Sequence, residues 1–355
     1  MPKSGRHRLH RVAITFMTSA FHDLTQHPDQ LLRILHDLGI EHAGEQLRIT
    51  VLTGGVSSSI SRVQLGARSY CVKQALPQLK VAKDWKVPVE RIYAEIDWLR
   101  TAEEIVPGHV PHVIGFDRST NCFVMEYLPD TYINWKQELR EGRIAPGIAA
   151  QMGSVLGRIH AETAGKETLA RKFAHDATFY AIRIEPYLEE AARQNPDVAP
   201  QLKQLADRTR NTRLVLVHGD VSPKNILIGP KGPVLLDAEC ACYGDPAFDV
   251  AFCLNHLLLK SVWIPTLLPA LLAVFDVFVS AYLPHVAWES TQALRARVAT
   301  LLPALLLARV DGKSPVEYLD AGAQSRVRAA ALKLLREPAS SLEEITSFWK
   351  EEWGR

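Results

Sequence analysis

The segment at residues 214–251, LVLVHGDVSPKNILIGPKGPVLLDAECACYGDPAFDVA, constrains the fold more than any other part of the chain. It contains three short apolar runs, at 214–217, 226–228 and 234–236, separated by a polar loop and a Gly-Pro-Lys-Gly turn. This pattern is typical of three strands joined by short connections. Because polar residues follow each run, the segment predicts strand ends that present oxygen-bearing side chains together.

The polar residues of this segment have the spacing of a phosphoryl-transfer site. Asp220 is followed five residues later by Asn225, and Asp237 follows the third apolar run. In that chemistry an Asp accepts the proton of the attacking hydroxyl, while an Asn and a later Asp hold Mg²⁺ against the nucleotide phosphates. Hard oxygen ligands suit Mg²⁺, which uses few carboxylates. The expected cofactors are therefore ATP and Mg²⁺.

The sequence HGDVSPKN, followed by LDAE, resembles the catalytic and metal-binding segments of the aminoglycoside phosphotransferase and choline kinase superfamily. The resemblance implies that Asp220 is the catalytic base and that Asn225 and Asp237 are metal ligands. It also implies that Asp249 braces the catalytic loop and that His218 has a structural role at the site. The implied fold is α+β and protein-kinase-like, with an antiparallel N-lobe sheet and a largely helical C-lobe.

A glycine- and serine-rich turn lies upstream, between strands predicted at 47–52 and 60–65. Such a turn can bring backbone N–H groups onto phosphates without steric conflict. Alone this signal is weak, but it gains weight beside Asp220 and Asp237. The residues predicted to bind phosphates here are Gly54, Gly55, Ser57 and Ser58.

The strand predicted at 70–75 carries Lys73 within a mostly apolar run. A lysine on the third strand after a glycine-rich hairpin is expected to pair with nucleotide phosphates and with a helix glutamate. A helix predicted over 89–102 supplies Glu95 on its buried face. Glu90 is the alternative, nearer the start of that helix.

Residues 122–129 are predicted to form the last strand of the N-lobe and a hinge. Its backbone at Glu126, Tyr127 and Leu128 is expected to hydrogen-bond the adenine edge. Backbone hydrogen bonds depend little on which side chains are present, so this role is predicted from the position of the residues alone.

The stretch VKQALPQLKVAKDWKVPVERIYAE is similar to the corresponding region of 5-methylthioribose kinases, in which a Trp-bearing loop follows the lysine strand. Trp85 is the tryptophan of this stretch. The Asp-x-Glu arrangement of Asp237 and Glu239 also resembles that branch, which implies Glu239 as a metal ligand. The catalytic loop departs from the branch, because SPKN stands where a histidine-containing loop without the Asn is expected.

Composition limits the class of protein. A chain of 355 residues is long enough for two lobes, expected at 1–128 and 129–355. A net charge of +2 argues against a nucleic-acid partner, and five cysteines without a C-x-x-C pair favour a reduced, cytoplasmic setting. The apolar segment 266–283 contains Pro269 and Asp276, so a buried helix is expected rather than a membrane span. The sequence leaves open whether the protein forms a homodimer.

Beyond residue 251 the chain has helical periodicity, interrupted by a polar loop at 309–315. Residues 261–308 contain only Asp276 and Glu289 as acids, whereas a polycationic antibiotic would require a dense acidic pocket. This favours a neutral or partly apolar sugar or alcohol as the acceptor. The candidate substrate contacts are Trp263, Arg309 and Lys313.

Together these patterns predict a small-molecule kinase that transfers the ATP γ-phosphoryl group to a hydroxyl. A 5-methylthioribose kinase and an aminoglycoside phosphotransferase are alternatives within this class. A nucleotide-binding pseudokinase or regulatory module is the alternative from another class.

Overall fold

The computed structural model describes residues 21–40, 44–52, 57–77 and 87–354. The N-terminal part contains a five-stranded antiparallel sheet with the strand order β1-β2-β3-β5-β4. Its strands are β1 (Leu47–Leu52), β2 (Ser58–Leu65), β3 (Arg68–Ala75), β4 (Val113–Asp117) and β5 (Cys122–Glu126). The hairpin and third strand predicted from the sequence are therefore present.

Helix α1 (Pro28–Asp37) covers one face of this sheet. Its Leu31 and Leu35 pack against Val63 and Val72 of the strands. Proline is well suited to the first helical turn, where its missing N–H has no intrahelical acceptor.

Helix α2 (Arg91–Ile105) covers the opposite face. It begins two residues later than predicted, after a turn at 89–90, and continues three residues further. Side chains alternate across a strand, so Val72 of β3 lies on the α1 side while Lys73 lies on the α2 side. This alternation brings Lys73 to Glu95.

The C-terminal part is mainly helical. Its helices are α3 (Trp135–Arg140), α4 (Pro146–Thr163), α5 (Glu167–Lys172), α6 (Asp176–Phe179), α7 (Glu190–Gln194), α8 (Ala199–Asn211), α9 (Pro246–Trp263), α10 (Leu268–Tyr282), α11 (Thr291–Asp311), α12 (Ala321–Arg336) and α13 (Leu342–Trp353). A π-helical segment, Tyr180–Glu189, connects α6 to α7 and was not predicted from the sequence. The expected α+β architecture, with a sheet-based N-lobe and a helical C-lobe, is confirmed.

Helix α10 packs closely against α4. A Cβ at Gly153 of α4 would lie 2.3 Å from the carbonyl oxygen of Phe278, so this contact requires glycine. The segment Pro265–His285 is long and apolar enough to span a membrane by length and composition alone. In the fold its Phe275 is buried and its Asp276 faces solvent.

Two small sheets carry the segment at 214–251. One pairs β7 (Val215–Val217) with β10 (Cys242–Gly244), and the other has the order β6-β8-β9. The strands of this second sheet are β6 (Ile133–Asn134), β8 (Ile226–Gly229) and β9 (Gly232–Leu235). The loop from β7 to β8 thus bears Asp220 and Asn225, and the chain leaving β9 bears Asp237.

Candidate active site

The loop after β7 turns sharply at Gly219. This residue has a φ of +76°, in the left-handed region that favours glycine. A Cβ at Gly219 would lie 2.7 Å from the carbonyl oxygen of Cys240. A side chain does not fit here, and the turn delivers Asp220 directly after it.

Asp249, in the first turn of α9, holds this loop in place. Its Oδ2 accepts a hydrogen bond from the His218 N–H at 2.7 Å, and its Oδ1 accepts one from the Gly219 N–H at 2.8 Å. His160 contacts Asp249 through Nε2 at 3.2 Å and the Tyr282 hydroxyl through Nδ1 at 2.7 Å. Asp249 is fully buried, and these contacts fix its carboxylate against the loop. It lies where a bracing acid was expected.

His218 links the two segments of the site. Its Nδ1 accepts a hydrogen bond from the Asp220 N–H at 3.1 Å, which leaves Nε2 to donate to the Leu236 carbonyl at 3.1 Å. Burial lowers the pKa of His218, so the neutral ring protonated on Nε2 suits both contacts. The ring therefore ties the loop of Asp220 to the residue preceding Asp237.

The carboxylate of Asp220 is nearly buried and contacts two cations. Arg183 Nη2 lies 3.0 Å from Oδ2, and Lys224 Nζ lies 3.3 Å from the same oxygen. Both cations therefore lie beside the carboxylate that would accept a proton from a substrate. Asn225 Nδ2 donates to the Asp220 backbone carbonyl at 3.1 Å, which leaves the amide oxygen of Asn225 for a cation.

Lys73 joins the two lobes at the site. Its Nζ lies 2.8 and 2.6 Å from the two carboxylate oxygens of Glu95 and also forms an ion pair with Asp237. Asp237 has a φ of +67°, a conformation that aspartate tolerates better than most residues. One ammonium group thus connects β3, α2 and the chain leaving β9.

The charges of this trio shift one another's pKa values. Burial alone would lower the pKa of Lys73, but Asp237 and Glu95 outweigh it and raise the pKa. Burial alone would raise the pKa of Asp237, but Lys73 and Lys224 hold it well below its usual range. For Glu95, burial prevails over the effect of Lys73 and raises the pKa to about 7.

Glu239 contacts a guanidinium group. Arg91 Nε donates to Glu239 Oε2 at 3.0 Å, while its other nitrogens donate to the backbone carbonyls of Ser57, Leu76 and Pro88. Arg91 therefore holds both Glu239 and the backbone at Ser57, next to the glycine-rich turn. Metal binding by Glu239, implied by the resemblance, would compete with this ion pair.

The residues predicted to hold phosphates are described only in part. Gly54, Gly55 and the Trp85 insertion lie outside the described residues. Ser57 and Ser58 are buried where β2 begins. Their phosphate-binding role stays a prediction.

The hinge follows β5 as expected. The Glu126 N–H donates to the His112 carbonyl at 2.8 Å, so this amide is already used within the fold. The guanidinium of Arg62 lies 4.5 Å from the centre of the Tyr127 ring. Leu128 lies in the irregular segment after the strand. Adenine recognition by this hinge stays a prediction.

The oxygen donors at the site suit Mg²⁺. Asp237 is 27 % exposed, and the free amide oxygen of Asn225 belongs to the neighbouring loop. Across the described part of the chain, no group of three or more His, Cys, Asp and Glu side chains forms a metal cluster. Two protein ligands are what Mg²⁺ commonly uses when phosphates and water complete its shell. Asn225 and Asp237 therefore fit this ion.

The three candidate substrate contacts have different surroundings. The Trp263 ring lies 4.6 Å from that of Tyr318. Arg309 is 9 % exposed near the end of α11. Lys313 Nζ lies 2.8 Å from both carboxylate oxygens of Glu185 and is thereby neutralised within the fold.

Three cations at the site were not predicted from the sequence. Lys224 lies within SPKN, four residues after Asp220, and that spacing could have indicated their contact. Arg91 lies one turn before Glu95 on α2. Arg183 lies in the π-helical segment, where no local pattern marks it.

Residues 48–294 match the family model described as the phosphotransferase enzyme family, which is more than half of the chain. The chain therefore belongs to this family. The resemblance stated from the HGDVSPKN and LDAE motifs is confirmed.

Sequence relatives agree with this assignment. The methylthioribose kinase of Yersinia pseudotuberculosis serotype O:3 (strain YPIII) is 27 % identical over 228 residues, covering 57 % of this chain and 56 % of the relative. The chain thus spans about half the length of the curated relatives it matches.

Two solved structures share the fold. An amicoumacin kinase in complex with AMP-PNP, Ca²⁺ and Ami has a TM-score of 0.56 at 14 % identity, covering 90 % of this chain and 96 % of that one. A Plasmodium vivax ethanolamine kinase also has a TM-score of 0.56 at 12 % identity, covering 90 % and 91 %.

Proposed function

We propose that this protein is an ATP- and Mg²⁺-dependent kinase that phosphorylates a hydroxyl group of a small molecule. The observation that carries the proposal is the contact of Lys73 with both Glu95 and Asp237. This contact brings the N-terminal sheet to the segment that bears Asp220. The arrangement suits a reaction driven by positioning and charge neutralisation.

Each residue has a distinct role in the proposed reaction. Asp220 accepts the proton of the attacking hydroxyl. Asn225 and Asp237 hold Mg²⁺, which neutralises charge on the transferring phosphates. Lys73, kept in place by Glu95, contacts the phosphates, and its ion pair with Asp237 gives way to these ligands.

The relatives support this class of reaction. A methylthioribose kinase is among the sequence relatives. The amicoumacin kinase structure holds AMP-PNP, an ATP analogue, together with a divalent cation. For this chain the acceptor class predicted from composition is a sugar or alcohol, with 5-methylthioribose and aminoglycosides as alternatives.

An ATP-consumption screen over a library of hydroxyl compounds tests the proposal. We expect Asp220→Asn to lower turnover of the identified acceptor by about 100- to 10,000-fold, because it removes the general base. MgATP binding, measured by calorimetry, should persist in this variant. Asp237→Ala should weaken metal-dependent nucleotide binding as well.

Asp207→Asn is the matched control, since Asp207 is exposed on α8 away from the site. Full activity of Asp220→Asn would defeat the assignment of the base. Tight MgATP binding without turnover of any compound would favour a nucleotide-binding regulatory module instead.

A further inference from the structure

Lys260 is a buried cation without a carboxylate partner. It lies near the end of α9 and is 2 % exposed, and its ammonium group forms no hydrogen bond or ion pair with any described residue. Its ammonium lies 4.8 Å from the centre of the Tyr318 ring and 5.7 Å from that of Trp263. Aromatic faces attract a cation, but they do not replace the hydrogen bonds that it makes in water. Lys260 is therefore costly to bury unless an anion joins it.

Three further cations surround the same region. Lys136 lies at the start of α3, Lys224 in the catalytic loop and Arg309 near the end of α11. Burial, followed by the charges of Arg309, Lys260, Lys224 and Lys136, lowers the pKa of His256 well below its usual value. Four cations from four elements thus act on one imidazole ring.

The acidic residue facing Lys260 does not neutralise the cluster. Burial, aided by Lys136 and Arg309, lowers the pKa of Lys260 to about 7, although Glu317 opposes this shift. Glu317 is 69 % exposed and already pairs with Lys136 at 2.8 Å. The region therefore retains excess positive charge.

Buried polar atoms beside the cluster lack partners. Arg309 Nε, the Tyr318 hydroxyl and both side-chain polar atoms of Asn255 are buried without a hydrogen-bond partner among the residues described. Asn255 precedes His256 on α9. Because buried polar groups are normally paired with protein, water or a ligand, Arg309 Nε and the Tyr318 hydroxyl can bond to a polar group that joins the cluster.

The cluster is connected to the proposed base. Arg183, which contacts Asp220, lies over the Phe252 ring at 5.6 Å, and the His256 ring packs on Phe252 at 5.2 Å. Phe252, His256 and Lys260 follow one another at intervals of four and share one face of α9. This face of α9 therefore leads from Arg183, beside Asp220, to Lys260.

We propose that Lys136, Lys260 and Arg309 bind an anionic group, a carboxylate or a phosphate, on the acceptor alcohol, beyond Lys224, which contacts Asp220 itself. The inference rests on the proposed kinase function and names its substrate class, going beyond the neutral or partly apolar acceptor suggested by composition. The acceptor oxygen bonds to the γ-phosphorus, the bond from phosphorus to the bridging oxygen breaks, ADP leaves, and the hydroxyl proton passes to Asp220. The anionic group does not react and orients the alcohol.

Matched sets of alcohols test this inference on the whole chain with MgATP. The sets are sugar phosphates, hydroxycarboxylates, the corresponding neutral sugars and polyols, and amino alcohols. We expect ADP formation with an anionic set, and the preferred set distinguishes phosphate from carboxylate. Lys260→Met should raise the acceptor KM by about 10- to 100-fold, as for a lost charged hydrogen bond, and leave the KM for ATP unchanged.

Two variants control for charge and folding. Lys260→Arg keeps the positive charge and should retain most acceptor binding. Lys203→Met, at an exposed position on α8, should match the wild type. With saturating MgADP, the anionic acceptor should raise the Tm of the wild type and of Lys260→Arg, but not that of Lys260→Met.

The outcomes separate this inference from the kinase proposal. Turnover of neutral or cationic alcohols alone, or an unchanged acceptor KM in Lys260→Met, would overturn the anionic acceptor and leave the kinase function standing. A raised KM for ATP instead would assign the cluster to nucleotide phosphates and also overturn the inference. Retained MgATP binding without turnover of any set would refute both.

Discussion

Lys73 and Lys260 are buried to nearly the same extent, at 3 % and 2 % exposure, in opposite surroundings. Lys73 contacts the carboxylates of Glu95 and Asp237, and its pKa is raised despite burial. Lys260 lies over two aromatic rings, and its pKa falls to about 7. Comparing them shows that Lys73 has its counter-charges within the fold, whereas no described carboxylate forms an ion pair with the ammonium of Lys260.

The largest expected effect comes from Lys73→Met. Turnover should fall by about 100- to 1,000-fold, because a preorganised charge at the phosphates is lost. The free energy of unfolding should fall by about 3–5 kcal/mol, since Glu95 stays buried without its partner. Steady-state kinetics and urea unfolding measure the two effects.

The double variant Lys73→Met/Glu95→Gln separates these effects. It should recover most of the stability, because no buried carboxylate is left unpaired, and none of the turnover. Recovery of turnover in the double variant would show that Lys73 acts only through the stability of the fold.

Lys260→Met should have the opposite effect on stability. The lysine pKa is about 10.4 in the unfolded chain and about 7 in the folded protein. Below pH 7 the folded protein buries a charged ammonium, so the variant should gain about 1–3 kcal/mol in free energy of unfolding. The gain should shrink between pH 7 and 10, because the folded state loses this proton first.

Urea unfolding of wild type and variant at pH 6.5 and pH 9.5 measures this gain. Lys203→Met should be neutral at both values. A loss of stability at pH 6.5 in Lys260→Met would mean that Lys260 is satisfied within the fold, and the comparison with Lys73 would fail.

A smaller effect is expected in the pH dependence of acceptor binding. The groups facing Lys260 are Lys136 from α3, Arg309 from α11, Glu317 from the following loop, and His256 on its own helix. Loss of the Lys260 proton above pH 7 should raise the KM of an anionic acceptor several-fold per pH unit. Lys260→Arg should flatten this profile, whereas a steep rise persisting in that variant would assign the titration to another group.

The catalytic half of the site could be predicted because its residues lie in local patterns. Asp220 and Asn225 share one loop, and Asp237 follows the next hairpin. Strand alternation and helix periodicity then placed Lys73 and Glu95 on facing surfaces of β3 and α2. Their contact could be anticipated although they lie 22 residues apart.

The acceptor half could not be predicted in the same way. Lys136, Lys224, Lys260 and Arg309 come from separate elements, and only their packing brings them together. Counting the acidic residues of one region could not reveal this cluster, because a count does not show which charges are already paired. Glu289, for example, pairs with Arg297 at 2.5 Å. The π-helical segment that positions Arg183 has no periodicity that would mark it in advance.

Phosphorus NMR of the wild-type protein with MgATP and its acceptor tests phosphoryl transfer to a hydroxyl most directly. We expect a new phosphomonoester resonance that grows in step with ADP and is absent with Asp220→Asn. Release of inorganic phosphate without a phosphomonoester, or the same phosphomonoester at wild-type rate with Asp220→Asn, would contradict this function.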